Sequence, residues 1–287
     1  MGKTVEMIDL HAHILYGLDD GAKTIEESIE MCRISYQDGI RTVVATPHIL
    51  PGIYKNDRST ILSKLHELNA AIKKLGAASS EFRVKNPNSA IRNPQSALRL
   101  DSELRTHNSE LSLVVLPGAD VHFSSDIFQR YERGEVVTVN DQGRYLMVEF
   151  AFQGIPYQAE EVLFQLITKG IIPIISHPER NMEIGQKPKR YYEMIRMGCL
   201  GQVTAMSLIG DFGSGIKRIA EKLLSKRLIH IIASDTHSTN RRPPILSTAV
   251  KAAEKIVGKE EARKMVTEYP EAIIEGRRPD VPEPLSP

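Results

Sequence analysis

The stretch I-D-L-H-A-H-I at positions 8–14, followed by G-L-D-D-G at 17–21, decides how this chain is read. A short, mostly apolar run over 5–10 has the composition of a buried parallel strand, and two histidines stand two residues apart at its far end. Alternate side chains of an extended strand share a face, so His11 and His13 are presented together. A helix is predicted next, over 24–38. Thr24 and Glu27 stand at capping-box spacing, and Gly39 occupies the place of a helix-ending glycine.

Working outward, the same strand-then-helix rhythm recurs to about position 255. Strands are predicted at 5–10, 42–45, 113–116, 145–148, 171–175, 200–204 and 229–233. Helices are predicted between them at 58–75, 124–133, 158–169, 188–197, 215–225 and 245–257. Repeated βα units of this kind build α/β folds with parallel strands, and seven of them predict a closed or nearly closed barrel. A single domain over 1–275 is expected. One segment breaks the rhythm: 80–112 carries SAIR, SALR, SELR and SELS amid Asn, Pro and Ser, and reads as a low-complexity insertion. The Pro-rich tail from 276 to 287 is expected to be loose.

Composition removes several classes of function. Of 287 residues, 41% are hydrophobic and 25% charged, an ordinary globular balance. The 37 basic and 36 acidic residues nearly cancel, so no global field recruits nucleic acid or an anionic membrane. With no Trp and no basic, aromatic-interleaved stretch, a nuclease is disfavoured. Cys32 and Cys199 are too few for a disulfide framework, and the residues six positions on, Asp38 and Ala205, exclude a C-x5-R cysteine phosphatase. The N-terminus carries no apolar leader, and no run approaches the ~18 apolar residues of a membrane span. A cytoplasmic chain is expected, with neither nucleic acid nor membrane insertion.

The chemistry gathers where the predicted strands end. His11, His13, His48, His177 and His237 each lie at or just beyond the carboxyl end of a strand, the end at which parallel α/β folds bind ligands. Asp120, Glu149 and Asp235 fall just past strand ends too, and Asp20 in the loop after the first strand. A single histidine in such a place is ordinarily structural. Five with four carboxylates are a ligand set. Imidazole and carboxylate without thiolate suit Mn, Fe or Zn in a catalytic setting, and nine ligands imply more than one cation. Cations sharing a carboxylate activate a hydroxide, the expected nucleophile. Arg180, in H-P-E-R, and Arg241 with Arg242, after S-D-T-H, offer guanidinium forks that match phosphate oxygens, although Arg241 also reads as plain surface charge. Metals with arginines point to phosphate ester hydrolysis.

The ordered motifs D-L-H-A-H, D-D-G, A-T-P-H, P-G-A-D-V, V-E-F, S-H-P-E-R and S-D-T-H resemble the PHP superfamily of metal-dependent phosphoesterases. More closely, G-L-D-D-G-A-K-T and H-P-E-R-N look like the bacterial PHP-type protein-tyrosine phosphatases of capsule and exopolysaccharide loci. That resemblance implies a distorted (β/α)7 barrel holding three divalent cations, Mn foremost, with Fe or Zn as alternatives. It assigns His11, His13, Asp120 and Asp235 to one cation, Asp120, Glu149 and His177 to a second, and Asp20, His48 and His237 to a third. It makes Arg180 and Arg242 the phosphate clamp. Tyrosine leaves as a phenolate of pKa about 10, which lessens the need for a general acid, a role open to His237. The implied partner is the phosphotyrosine tail of a bacterial tyrosine autokinase that regulates polysaccharide export. Two positions depart from the family pattern: Asp120 where Glu is usual, and Ile49 after His48 where many relatives have a second histidine. The ligand set alone also suits a phosphatase of a small ester such as histidinol phosphate, and a metal-bearing binding module is the reading from another class.

Overall fold

The computed structural model describes residues 6–77 and 113–287; the insertion expected at 80–112 lies outside them. The described strands are β1 (Met7–Ala12), β2 (Ile40–Ala45), β3 (His48–Ile49), β4 (Val114–Pro117), β5 (Asp120–His122), β6 (Tyr145–Glu149), β7 (Ile172–Ser176), β8 (Leu200–Thr204) and β9 (Ile231–Ala233). Their pairings are parallel and run in two sheets, β1-β2-β4 and β3-β5-β6-β7-β8-β9. One isolated parallel bridge, Ala12 with Thr236, ties the end of β1 to the loop after β9. Among the described residues the pairing therefore does not close into the single ring that was expected.

The division has a local cause. Two of the seven expected strands break near their ends, which adds β3 and β5. Pro47 separates β2 from β3 and has no N–H to give to a ladder, although its carbonyl accepts from Asp120 N at 3.2 Å. Gly118 separates β4 from β5 where the backbone comes so close to Val44 that a Cβ would lie 2.7 Å from its Cγ1.

Strands covered on both faces explain the near-continuous apolar runs. Along β6, Leu146 and Val148 join the larger core cluster against the helices, while Tyr145 and Met147 join a smaller one with Leu10, Val44, Ile174 and Ile231. The first helix, Ile25–Gln37, starts as predicted: Thr24 Oγ1 accepts from Glu27 N, and the Glu27 carboxylate turns back to Lys23 N. Short helices at Met182–Gln186, Ala205–Ile209, Lys259–Lys264 and Glu268–Ile274 were not anticipated.

The tail corrects the expectation of looseness. Tyr145 Oη donates to Arg277 O at 2.6 Å, Leu285 N donates to Lys226 O at 2.9 Å, Pro279 is buried, and Val281 packs against both clusters. These contacts fix the tail under the strands, at the end opposite to the histidines.

Candidate metal centre

The side chains of the candidate ligand set converge from several elements. His11 is the penultimate residue of β1, with His13 just beyond the strand; His48 lies in β3 and Asp120 in β5; Glu149 ends β6; His177 follows β7; Asp235 and His237 follow β9; Asp20 comes from the loop after β1. A cleft with a volume of about 600 Å³ is lined by Asp20, His48, Glu149, His177, Asp235 and His237, with Arg180 and Arg242. All nine side chains are brought together. Two of them sit on strained backbone, His177 at φ 33° and Asp235 at φ 52°, a conformation that non-glycine residues hold only when the surroundings enforce it.

The distances inside the cluster fall into two classes. Contacts with groups outside the nine are hydrogen bonds: His13 Nδ1 donates to Asp19 Oδ2 at 2.7 Å and His11 Nδ1 to Gln202 Oε1 at 3.0 Å. Contacts between imidazole and carboxylate within the nine are longer. His11 Nε2 is 3.6 Å from Asp120 Oδ2 and from Asp235 Oδ1, His13 Nε2 is 3.5 Å from Asp235 Oδ1, His177 Nε2 is 3.4 Å from Glu149 Oε1, and His237 Nε2 is 3.5 Å from Asp20 Oδ1. A hydrogen bond is shorter. Two atoms each about 2.1 Å from a shared cation at a tetrahedral angle are separated by about 3.4 Å. The spacing is that of ligands around cations.

Lone pairs agree. With the Nδ1 of each ring donating outward, His11 Nε2 and His13 Nε2 face one another at 3.1 Å, an arrangement that requires a positive charge between them. Without a cation a proton serves: burial opposes charging of His13, but the Asp19 carboxylate raises it to about 10. Burial, together with the neighbouring Glu149 carboxylate, pushes Asp120 up to about 7. His48 Nδ1 and Asp120 Oδ2 are buried without a hydrogen-bond partner. Three groups bring ligand atoms within 4.8 Å of one another: His13, Asp20, His48 and His237; His11, His13 and Asp120; and His48, Asp120 and Glu149. The residues fit divalent cations.

The arginines border this cluster. Arg180 Nη1 donates to Asp235 Oδ2 at 3.2 Å, with its guanidinium 4.7 Å from the Phe152 ring centroid and 5.0 Å from that of Phe212. Arg242 Nη2 donates to Asp235 O at 2.9 Å and pairs with Asp235 Oδ2 at 2.5 Å. Arg241 is exposed, its backbone N–H held by Ser238. Both thiols are buried, and burial pushes Cys32 up to about 12 and Cys199 higher still, so neither is a thiolate nucleophile.

Four supporting residues escaped the sequence reading. Asp19 orients His13 and accepts from His48 N at 2.9 Å. Gln202 orients His11. Asp9 accepts from Ser234 N and Oγ behind the site. Glu179, buried, accepts from Thr204 N at 3.1 Å and Ser207 Oγ at 2.6 Å and so fixes the turn that carries Arg180. His122 was also overlooked, although D-V-H repeats the alternation of H-A-H.

A family profile for capsular polysaccharide synthesis proteins, CpsB/CapC, matches residues 7–89 and 81–275. The tyrosine-protein phosphatase YwqE of Bacillus subtilis is 33% identical over 268 residues, 93% of this chain and 91% of that protein. The tyrosine-protein phosphatase CpsB of Streptococcus pneumoniae is 28% identical over 273 residues, 93% of this chain and 98% of that protein. A crystal structure from a study of YwqE and CpsB as metal-dependent tyrosine phosphatases superposes with a TM-score of 0.81 at 32% identity, covering 98% of this chain and 99% of that one.

Proposed function

The chain belongs to the capsular polysaccharide synthesis CpsB/CapC family, and from that premise we propose how its cleft works as a metal-dependent protein-tyrosine phosphatase. The observation that carries this reading is the ligand-type spacing of 3.4–3.6 Å among imidazoles and carboxylates beside two arginines.

The nine residues would hold three divalent cations, Mn foremost: His11, His13, Asp120 and Asp235 one, Asp120, Glu149 and His177 the next, and Asp20, His48 and His237 the third. Cations bound there supply Lewis acidity and lower the pKa of coordinated water. Arg180 and Arg242, both held at Asp235, turn their remaining N–H groups to the phosphoryl oxygens, where a guanidinium gives directional charge-assisted bonds. Phe152, Ile53 and Tyr54 line the cleft and offer apolar surface to an aryl group that a serine phosphate leaves uncovered. His237 Nδ1 donates to Asp235 O at 2.9 Å, which turns Nε2, 3.5 Å from Asp20 Oδ1, toward the third cation site, so the ring serves there as a ligand and a phenolate of pKa about 10 leaves without a proton from it. The two sheets are the arcs of a distorted (β/α)7 barrel, a reading supported by the bridge between Ala12 and Thr236.

The physiological substrate is the tyrosine-phosphorylated tail of an autokinase of polysaccharide synthesis, met in the cytoplasm. No described helix is long and apolar enough to cross a membrane. The test is phosphate release from phosphotyrosine peptide, phosphoserine peptide and histidinol phosphate by Mn-loaded protein, with His177→Ala as control. Selective release from phosphotyrosine, reduced at least about a hundredfold in the variant, is expected. Preference for histidinol phosphate overturns the tyrosine assignment.

A further inference from the structure

His122 belongs to none of the nine positions, yet its geometry matches theirs. It is the last residue of β5, two places beyond Asp120, so both side chains leave the strand on one face. The register of β5 against β6 sets His122 directly beside Glu149. His122 lines the same cleft as Glu149 and His177.

Its Nδ1 lies 3.5 Å from Glu149 Oε2 and is buried without a hydrogen-bond partner. That separation is longer than a hydrogen bond and equal to the spacing between His48 Nδ1 and the same oxygen, also 3.5 Å. His122 Nδ1 thus stands from this carboxylate oxygen at the separation of two ligands sharing a cation, whereas His48 also has its Nε2 3.7 Å from Asp20 Oδ1, on the side of the third cation site. Three atoms around this point, His48 Nδ1, His122 Nδ1 and Asp120 Oδ2, are buried and unpartnered.

We infer that His122 is a further metal ligand, its Nδ1 completing the coordination of the cation held by Glu149 Oε2. The inference rests on reading the cleft as a metal centre. It also offers a role for the shorter side chain at position 120: an aspartate reaches less far than a glutamate, and an imidazole on the next same-face position of the strand supplies a donor there.

The test is a crystal of Mn-loaded protein measured at the Mn absorption edge, paired with Mn titration of His122→Ala and His122→Asp. An anomalous peak about 2.1–2.3 Å from His122 Nδ1 is expected. His122→Ala should hold one class of cation at least tenfold more weakly, His122→Asp should recover part of that loss, and the metal-free variants should melt with the metal-free wild type. Peaks at the other ligands with none within bonding distance of Nδ1, or unchanged Mn affinity in His122→Ala, overturn the inference while leaving phosphotyrosine hydrolysis intact. Wild-type protein that takes up no Mn overturns the metal centre itself, and this ligand with it.

Discussion

An imidazole has two nitrogens and offers one to a cation, so whatever holds the other decides whether the ring is a good ligand. His11 depends on Gln202 in this way. The amide oxygen takes the Nδ1 proton at 3.0 Å and also accepts from His177 N at 3.4 Å, so one side chain sets the tautomer of one ligand and the backbone of another. Replacing Gln202 with Leu keeps the volume but removes the acceptor, leaving His11 free to place its proton on Nε2. Metal retention, measured by competition with a chelator, should fall about 10–100-fold, the usual cost of losing such a partner. Retention equal to wild type would mean that the ring is oriented by packing alone. The nine clustered side chains were legible as candidates because their motifs recur at strand ends, whereas Gln202 stands alone in G-Q-V-T and only the juxtaposition of β8 with β7 and β1 reveals its use. Asp19 was hidden differently: next to Asp20 in D-D-G, either carboxylate fits a ligand role until the distances show that Asp19 supports His13.

Elements carry these residues into position, and the loop after β1 does so by close contact. Ala22 N donates to His13 O at 3.1 Å, Gly21 N to Asp19 Oδ1 at 2.9 Å, and a Cβ on Gly21 would lie 2.1 Å from His13 O and 2.6 Å from His13 Cβ. Backbone, and no flexible side-chain tip, is what it would strike. Gly21→Ala should therefore push the D-D-G turn away from β1, costing about 3 kcal/mol or more in denaturant unfolding and separating Asp20 from His13 and His237. A variant of wild-type stability with normal metal content would show that the turn yields cheaply. At this scale the sequence was a good guide for long elements, since β8 falls on the predicted residues and the first helix has its predicted cap. It failed for β3 and β5, because two or three residues after Pro47 or Gly118 are too few to establish a period. Those short strands nevertheless hold His48, Asp120 and His122.

For the molecule as a whole, the two ends of the strands do different work: the nine histidines and carboxylates converge at the carboxyl end, and the tail closes the other. Its proline content suggested looseness, but prolines also lower the entropy lost on docking, and the tail is fixed by Tyr145, Lys226 and the core. Between tail and strands lies a cavity of about 440 Å³ with His230 in its wall, beside Arg196, Arg278, Asp280 and Glu283. His230 Nδ1 accepts from Gly201 N at 3.0 Å, so its proton sits on Nε2, and charging would set a second N–H against that donor. Burial pushes His230 down to about 4 from an ordinary 6.5. The sign follows from the unfolded chain, which takes up a proton near pH 6.5 while the folded one resists until about 4. The stability held by the neutral ring is complete above pH 6.5 and is lost as pH falls toward 4, up to about 3 kcal/mol. His230→Gln, which keeps an acceptor for Gly201 but cannot be charged, should flatten that part of the dependence. Urea unfolding of both proteins at pH 7 and pH 4.5 measures it: the wild type should lose more stability between the two than the variant, by about 2–3 kcal/mol. Equal losses would mean that the ring is protonated as readily inside the fold as outside it, and that the tail does not seal it from water.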